Sequence, residues 1–202
     1  MLNYKYKFVF DLDSTITKEE ILPIVAKEIG LYEKMQILTE KAMNGEEDFE
    51  QNFKNRVNMV KNIPIKTIHK IVKNIKLNEY IEKFILENKE RCIIVTGNLD
   101  IIVQPILKKL NMEQRYFSCI GTVKEGKIHT VHKIINKKDI AKNFDFNFVA
   151  IGDGDNDVEM IKLAKIGIGF GGSRNLSKNI LNSADYIFYN DKKLYEFLNI
   201  LL

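Results

Sequence analysis

The hydrophobic positions of the chain follow two different rhythms. Short, continuous apolar runs, which are typical of strands buried on both faces, lie at residues 8–10, 92–95, 146–151 and 166–170. Between these runs, apolar residues recur at intervals of three and four, which predicts amphipathic helices. Strands that alternate with helices predict an α/β fold with a doubly wound, mostly parallel, Rossmann-like sheet and helices on both of its faces.

Residues 18–76 carry helical periodicity without any strand pattern. Asp48 is a predicted N-cap because Gln51 follows it at the capping-box spacing, and proline favours the first turn of a helix. We therefore predict four short helices in this segment. Their limits are marked by Gly30, Gly45, Asp48 and Pro64.

The two rhythms predict two domains. Residues 1–16 and 77–202 form the α/β core, and residues 17–76 form a small four-helix cap inserted after the first strand. Within the core, an alternating segment at 116–132 contains a Glu-Gly turn and predicts a β-hairpin.

Composition limits the class of protein. With 45% hydrophobic and 29% charged residues, the chain resembles an ordinary globular protein, and no apolar stretch is long enough to span a bilayer. No charged-then-apolar segment opens it, so we expect a cytoplasmic protein without a membrane partner. Cys92 and Cys119 lie in predicted apolar strands, so we expect buried thiols.

The net charge of +4 would permit binding to nucleic acid. However, lysines and glutamates alternate along most of the chain, which favours a solvated helical surface. There is also no basic cluster interleaved with aromatic residues, so we expect no nucleic-acid partner.

Three predicted strands end in chemically reactive side chains. The first is followed by Asp11 and Asp13, the second by Thr96, and the third by Asp153 with Asp157. Alone, the first pair could be an acidic turn that caps a helix. Because the carboxyl ends of parallel strands meet at one edge, we expect all five to converge. Clustered carboxylates without His or Cys favour Mg²⁺, beside which a carboxylate can attack phosphorus.

The ordered motifs resemble those of the haloacid dehalogenase (HAD) superfamily of phosphatases. Asp11–Thr15 is similar to the first motif, Thr96-Gly97 to the second, and Gly152–Asp157 to the fourth. The inserted helical cap is placed as in the phosphoserine phosphatase branch. Residues 42–45 and 49–57 resemble the substrate-enclosing segment of that branch.

The resemblance implies a Mg²⁺-dependent phosphomonoester hydrolase that forms a phosphoaspartate. It implies Asp11 as the nucleophile and Asp13 as the acid that protonates the leaving oxygen and then activates water. Thr96 and a lysine would hold phosphate oxygens. Asp11, the backbone carbonyl of Asp13, and Asp153 would bind Mg²⁺, while Asp157 would orient metal-bound water or the lysine.

Three lysines compete for the phosphate-binding role. The family pattern is a lysine that opens the helix before the fourth motif, with an aliphatic residue three positions later. Lys137, followed by Ile140, fits best, while Lys133 and Lys138 remain alternatives.

The resemblance also implies a substrate pocket. An acid and an arginine in one cap suit a zwitterionic phospho-amino acid, which favours phosphoserine and a role in serine biosynthesis. Each of these residues also has a structural interpretation that stays open. Glu20 could be a capping-box partner, and Met43 and Phe49 could be plain bundle core. Arg56 could form a surface salt bridge. The implied substrate-binding residues are Glu20, Met43, Phe49, Arg56, Thr96, Gly97 and Asn156.

Two departures from the family pattern bear on the substrate. Pro23 stands where phosphoserine phosphatases usually have Asp, and it could shift the start of the first cap helix. Asn98 replaces the second glycine of the second motif, where a side chain could narrow the pocket. These departures motivate an alternative, a phosphatase of another small metabolite such as a phosphosugar or nucleotide. A basic nucleic-acid-binding protein is a more distant alternative, and we expect a monomer or homodimer.

Overall fold

The computed structural model describes residues 5–202, so the first four residues of the predicted core lie outside the described chain. Across the described residues, seven strands form one sheet in the order β4-β3-β2-β1-β5-β6-β7. Only the β3–β4 pair is antiparallel among the described strands. The strands are β1 (Lys7–Phe10), β2 (Cys92–Leu99), β3 (Tyr116–Lys124), β4 (Lys127–Lys133), β5 (Phe148–Gly152), β6 (Ile166–Phe170) and β7 (Tyr186–Phe188).

Helices connect the parallel strands, and this arrangement confirms the predicted α/β fold. Four of them, α1 to α4, separate β1 from the rest of the core. The helices are α1 (Ile21–Lys27), α2 (Tyr32–Met43), α3 (Phe49–Val60), α4 (Ile65–Lys73), α5 (Glu79–Glu87), α6 (Asp100–Leu110), α7 (Lys137–Lys142), α8 (Val158–Leu163), α9 (Lys178–Ser183) and α10 (Asp191–Ile200).

The first strand lies at the centre of the sheet. It pairs in parallel with β2 on one side and β5 on the other. Phe8, Val9 and Phe10 are fully buried, and both phenylalanine rings pack against Phe84 of α5. Burial of this strand between two parallel neighbours fixes the position of the residue that follows it, Asp11.

The four helices of residues 21–73 begin and end close to the predicted limits. Gly30 and Gly45 have positive φ angles after α1 and α2, and Asp48 caps α3 by accepting a hydrogen bond from the Gln51 N–H. Pro23 lies in the first turn of α1, where proline is tolerated because no intrahelical N–H is needed there. The division into a core and a cap domain remains a prediction.

One strand of the core differs from the prediction. The second strand was expected to end at position 95, but β2 continues to Leu99 through a register shift against β3. The backbone of residues 96–98 therefore lies within an irregular strand end. The predicted hairpin of residues 116–132 is confirmed as β3 and β4, with positive φ angles at Glu125 and Gly126 in its turn.

Pro105 lies inside α6, which begins at Asp100 and continues past it to Leu110. Proline has no N–H to donate to the carbonyl four residues earlier, which belongs to Ile101. His69 of α4 contacts that carbonyl oxygen at 2.7 Å through Nε2, which must carry the proton because a carbonyl only accepts. The Ile101 carbonyl, which has no intrahelical donor because of the proline, thus forms a polar contact between α4 and α6.

We predict that His69→Phe lowers the free energy of unfolding by about 1 kcal/mol, because the Ile101 carbonyl loses its donor. Urea denaturation measures this change. His129→Phe is the matched control, since His129 is exposed on β4 and should alter stability little. Equal effects of the two substitutions would contradict the importance of the α4–α6 contact.

Candidate active site

Three buried carboxylates meet at the carboxyl edge of the sheet. Asp11 follows β1, Asp153 follows β5, and Asp157 lies in the short turn before α8. One carboxylate oxygen of each lies within 4.8 Å of the others, and each residue is at most 4% exposed. The predicted convergence of the first and fourth motifs is therefore present.

Lys137 lies at the centre of this group. It is the first residue of α7, and its Nζ donates hydrogen bonds to Oδ1 of Asp11 and, at 2.6 Å, to Oδ1 of Asp157. Lys138 instead pairs with Glu159 at 2.8 Å on the surface, and Lys133 is exposed on β4. Of the three candidate lysines, Lys137 is the one that the fold brings to the acids.

The charges of the group are unbalanced. Burial raises the pKa of Asp11 and of Asp153 well above the usual range, and neighbouring carboxylates add to both increases. Burial alone would lower the pKa of Lys137, but the carboxylates of Asp11 and Asp157 together outweigh it and raise that pKa. Lys137 is therefore charged throughout the neutral range.

This imbalance fits a bound metal ion. Within residues 5–202, Oδ2 of Asp153 accepts no hydrogen bond, although Nε of Arg174 lies 3.5 Å away. Buried carboxylate oxygens without donors are costly unless a cation compensates them. Asp11 and Asp153 thus offer the oxygen ligands that a hard divalent cation prefers.

Asp13 lies beside this group and contacts both the core and α1. Its carboxylate accepts a hydrogen bond from the Ile21 N–H at 3.0 Å. On the other side, Thr96 Oγ1 and Asn98 Nδ2 each lie 3.4 Å from it. Burial raises its pKa, and the hydrogen bonds from Ile21 and Asn98 oppose that increase.

The remaining predicted site residues surround a single cavity in front of Asp11 and Asp13. The cavity is about 20 Å³, enough for about one water molecule, so α1 to α3 close tightly over the strand ends. A ligand much larger than water does not fit this cavity with the side chains as they stand. The predicted residues that line it include Glu20, Met43, Phe49, Arg56, Gly97 and Asn156.

Arg56 is 4% exposed, so the alternative of a surface salt bridge is wrong. One of its terminal nitrogens donates to Thr39 Oγ1 at 3.3 Å, and its Nε has no hydrogen-bond partner among the described residues. Burial lowers the pKa of its guanidinium, whereas the acids Glu20 and Asp13 raise it. An arginine is too basic to lose its charge under these conditions.

Glu20 is the N-cap residue of α1, and its side chain turns towards the cavity. Its Oε1 accepts a hydrogen bond from Ser14 Oγ at 3.1 Å, and the side chain is 10% exposed. The capping box with Thr17 is not formed, because Glu20 itself is the N-cap of α1 and Thr17 Oγ1 accepts from the Ser14 N–H at 3.0 Å. Burial raises the pKa of Glu20 to about 7, with a further contribution from Asp13.

Met43 and Phe49 cover the cavity from the side of α2 and α3. A Cβ atom at Gly97 would lie 2.5 Å from Cζ of Phe49, so only glycine permits this closure. A Cβ atom at Gly154 would lie 2.8 Å from the sulfur of Met43. Both side chains therefore contact the core, and the interpretation as plain bundle core is wrong.

The sequence analysis missed Arg174, in the loop after β6. Its guanidinium lies 3.5 Å from Oε1 of Glu20 and 3.5 Å from Oδ2 of Asp153. One signal could have indicated it: β6 is a fourth parallel apolar strand, and the residues that follow it lie at the same edge of the sheet as the acids. Thr15 was also missed as a donor, at 3.2 Å, to Oδ1 of Asp153.

Comparison with known proteins defines the class first. A family model described as haloacid dehalogenase-like hydrolase matches residues 8–165. The chain belongs to the haloacid dehalogenase-like hydrolases, as its motifs indicated.

Within that family, the chain is similar to phosphoserine phosphatases. It is 32% identical to the phosphoserine phosphatase of Methanocaldococcus jannaschii over 98% of both chains. It is 31% identical to that of Archaeoglobus fulgidus, over 82% of this chain and 52% of the relative.

Two solved structures are similar over most of the chain. A phospho-aspartyl intermediate analogue of phosphoserine phosphatase aligns with a TM-score of 0.83 at 30% identity, covering 96% of this chain and 99% of the other. A substrate-bound phosphoserine phosphatase complex aligns with a TM-score of 0.81 at 29% identity, with the same coverage. The branch suggested by the cap is thereby confirmed.

No helix within residues 5–202 has the length and apolar character needed to cross a bilayer.

We predict that Lys137→Met lowers the free energy of unfolding by about 3 kcal/mol, because two buried carboxylates lose their shared cation. Chemical denaturation in metal-free buffer measures this loss. Lys138→Met is the matched control, since its ion pair with Glu159 is exposed and contributes little. A Lys137 variant as stable as the control would show that the acids do not depend on this lysine.

Proposed function

We propose that this chain hydrolyses O-phosphoserine to serine and phosphate, using Mg²⁺ and a phosphoaspartate at Asp11. The observation that carries the proposal is the single cavity that Asp11 and Asp13 share with a largely buried acid, Glu20, and a buried base, Arg56. Such a pair suits the ammonium and carboxylate groups of an amino acid. The similarity to phosphoserine phosphatases supports the same substrate.

The proposed reaction consists of two phosphoryl transfers. A carboxylate oxygen of Asp11 forms a bond to phosphorus, the bond from phosphorus to the serine oxygen breaks, and Asp13 gives that oxygen a proton. Asp13 then takes a proton from water, whose oxygen attacks the phosphoaspartate and releases phosphate. Bound Mg²⁺, held by Asp11, the Asp13 carbonyl and Asp153, would neutralise the phosphate charge that otherwise repels the nucleophile.

Other core residues would bind the phosphoryl group. Lys137 would neutralise one phosphate oxygen, while the Thr96 hydroxyl, the Gly97 N–H and the Asn156 side chain would donate to others. Asp157 supports this arrangement, since it binds Lys137 and also accepts from the backbone N–H groups of Asp153 and Gly154 at 3.3 and 3.2 Å. It would thus orient the lysine and the loop of the fourth motif together.

The helices α1 to α3 would select the substrate. Glu20 would accept from the ammonium group, and Arg56 would bind the carboxylate through two parallel N–H donors. Met43 and Phe49 would exclude water from the closed site. Because it would produce serine, the enzyme would take part in serine biosynthesis. It would be a cytoplasmic monomer or homodimer. Its partner would be a small phosphorylated metabolite, and it would not bind nucleic acid.

Phosphate release from a panel of substrates tests the proposal. We expect the highest kcat/KM for phosphoserine over phosphothreonine, phosphosugars and nucleotides, loss of activity in EDTA, and recovery with Mg²⁺. Asp11→Asn should abolish turnover while Asp145→Asn, a matched change at an exposed acid, retains it. Preference for a phosphosugar or nucleotide would reject phosphoserine, and substantial activity of Asp11→Asn would reject the phosphoaspartate.

We predict that Arg56→Ala lowers kcat/KM for phosphoserine by about ten- to a hundredfold, because the substrate carboxylate loses a charged donor pair. The loss for p-nitrophenyl phosphate should be much smaller, since that compound has no carboxylate. Arg115→Ala is the control, because Arg115 lies on the surface in an ion pair with Glu90. Equal losses on both substrates would remove Arg56 from substrate recognition.

A further inference from the structure

Asn98 lies where the motif comparison expects a glycine, and the structure shows what its side chain does. It is 4% exposed at the irregular end of β2 and lines the cavity with Asp13. Its neighbour Gly97 has no room for a side chain because the Phe49 ring occupies that space. At this strand end, Thr96 and Asn98 both place a polar side chain against the acid, and Asn98 is the one of the two that departs from the expected motif.

The hydrogen bonds of Asn98 fix the orientation of its amide. Oδ1 accepts the N–H of Leu99 at 2.9 Å, so this end of the amide must be the oxygen. Nδ2 is then the end that points to Asp13, 3.4 Å from each carboxylate oxygen. The backbone N–H of Asn98 donates to Thr96 Oγ1 at 3.0 Å, which anchors the residue further.

Asp13 is therefore held from two sides. The Ile21 N–H reaches Oδ1 from α1, and Asn98 reaches both oxygens from β2. The contacts from Asn98 are long, as hydrogen bonds of catalytic groups often are without a ligand. The bond from Ile21 comes from the cap helices, whereas the contacts of Asn98 and of the Thr96 hydroxyl come from β2 and would stay with the core if those helices moved.

We propose that Asn98 is a positioning residue, which holds the carboxyl group of Asp13 in the orientation needed to protonate the leaving oxygen. The inference rests on the proposed role of Asp13 in phosphomonoester hydrolysis. In that step the bond from phosphorus to the leaving oxygen breaks, and the proton of Asp13 moves to that oxygen. In this role Asn98 acts through Asp13 and exchanges no proton itself.

The role of Asn98 has a specific kinetic consequence. A strongly basic leaving group needs the proton from Asp13, whereas p-nitrophenolate departs with little help because it is a much weaker base than phenolate. A misplaced Asp13 should therefore slow phenyl phosphate more than p-nitrophenyl phosphate. The ratio of kcat/KM for the two substrates isolates this effect, since kcat/KM reports the first transfer.

Two variants separate hydrogen-bond donation from space filling. Asn98→Gly removes the donor and opens space, while Asn98→Leu keeps the branched shape without a donor. We expect both to lower kcat/KM for phenyl phosphate at least about tenfold more than for p-nitrophenyl phosphate. Circular dichroism and thermal melts check the fold, and activity on p-nitrophenyl phosphate shows that Asp11 still functions.

The remaining outcomes overturn the proposal. Equal losses on both aryl phosphates, or no loss, would show that Asn98 does not act through proton transfer. A loss in Asn98→Gly with wild-type kinetics in Asn98→Leu would show that it only fills space. The two aryl phosphates test the role of Asn98 without phosphoserine. If the wild-type enzyme hydrolysed them but not phosphoserine, the proposed substrate would be rejected, and the test of Asn98 would still stand.

Discussion

The carboxylates of Asp11, Asp153 and Asp157 are buried together, and Lys137 binds two of them, Asp11 and Asp157. The resulting excess of negative charge sets the requirements of the whole site. A buried carboxylate is stable only with donors or cations around it. The parallel sheet supplies the positions, because β1 and β5 end side by side, and α7 supplies the lysine. Within residues 5–202, no second cation lies as close to these acids, since Arg174 is 3.5 Å from Asp153 and only partly buried. The arrangement therefore fits a metal ion, whose positive charge would compensate the carboxylates.

The closed position of α1 to α3 depends on a second constraint, the close approach of their side chains to core glycines. Phe49 lies against Gly97, and Met43 lies against Gly154. A third contact has the glycine on the helical side. Gly45, which has a positive φ angle, lies against the Asp155 carboxylate of the fourth motif, where a Cβ atom would clash. These contacts occur at the second and fourth motifs themselves, so the same loops that would bind phosphate also form the surface on which the cap helices close.

The sequence allowed much of this to be predicted, because the relevant signals were local. A buried strand that ends in Asp11, and another that ends in Asp153, follow from apolar runs and sheet topology. Lys137 was favoured over Lys133 and Lys138 by the resemblance to the family, whose pattern has a lysine at the start of the helix before the fourth motif. Contacts between distant segments had no such signal: Arg174 reaches Glu20 and Asp153 from a loop, and His69 compensates the N–H that Pro105 lacks. The extension of β2 to Leu99 was missed for the same reason, since it depends on a register shift against β3.

The pKa of Glu20 connects charge balance with substrate choice. Burial raises it to about 7, and Asp13 adds to the increase, so near neutrality an appreciable fraction of Glu20 is protonated in the closed site. An ammonium group that binds beside Glu20 favours the carboxylate and must lower this pKa. Binding of an amino acid would then release a proton from Glu20. A substrate whose leaving group has no ammonium group would leave Glu20 largely protonated and uncharged. If Glu20 binds the substrate as proposed, this change in its protonation would contribute to selection, and the burial of Glu20, with Asp13 nearby, is what makes the change possible.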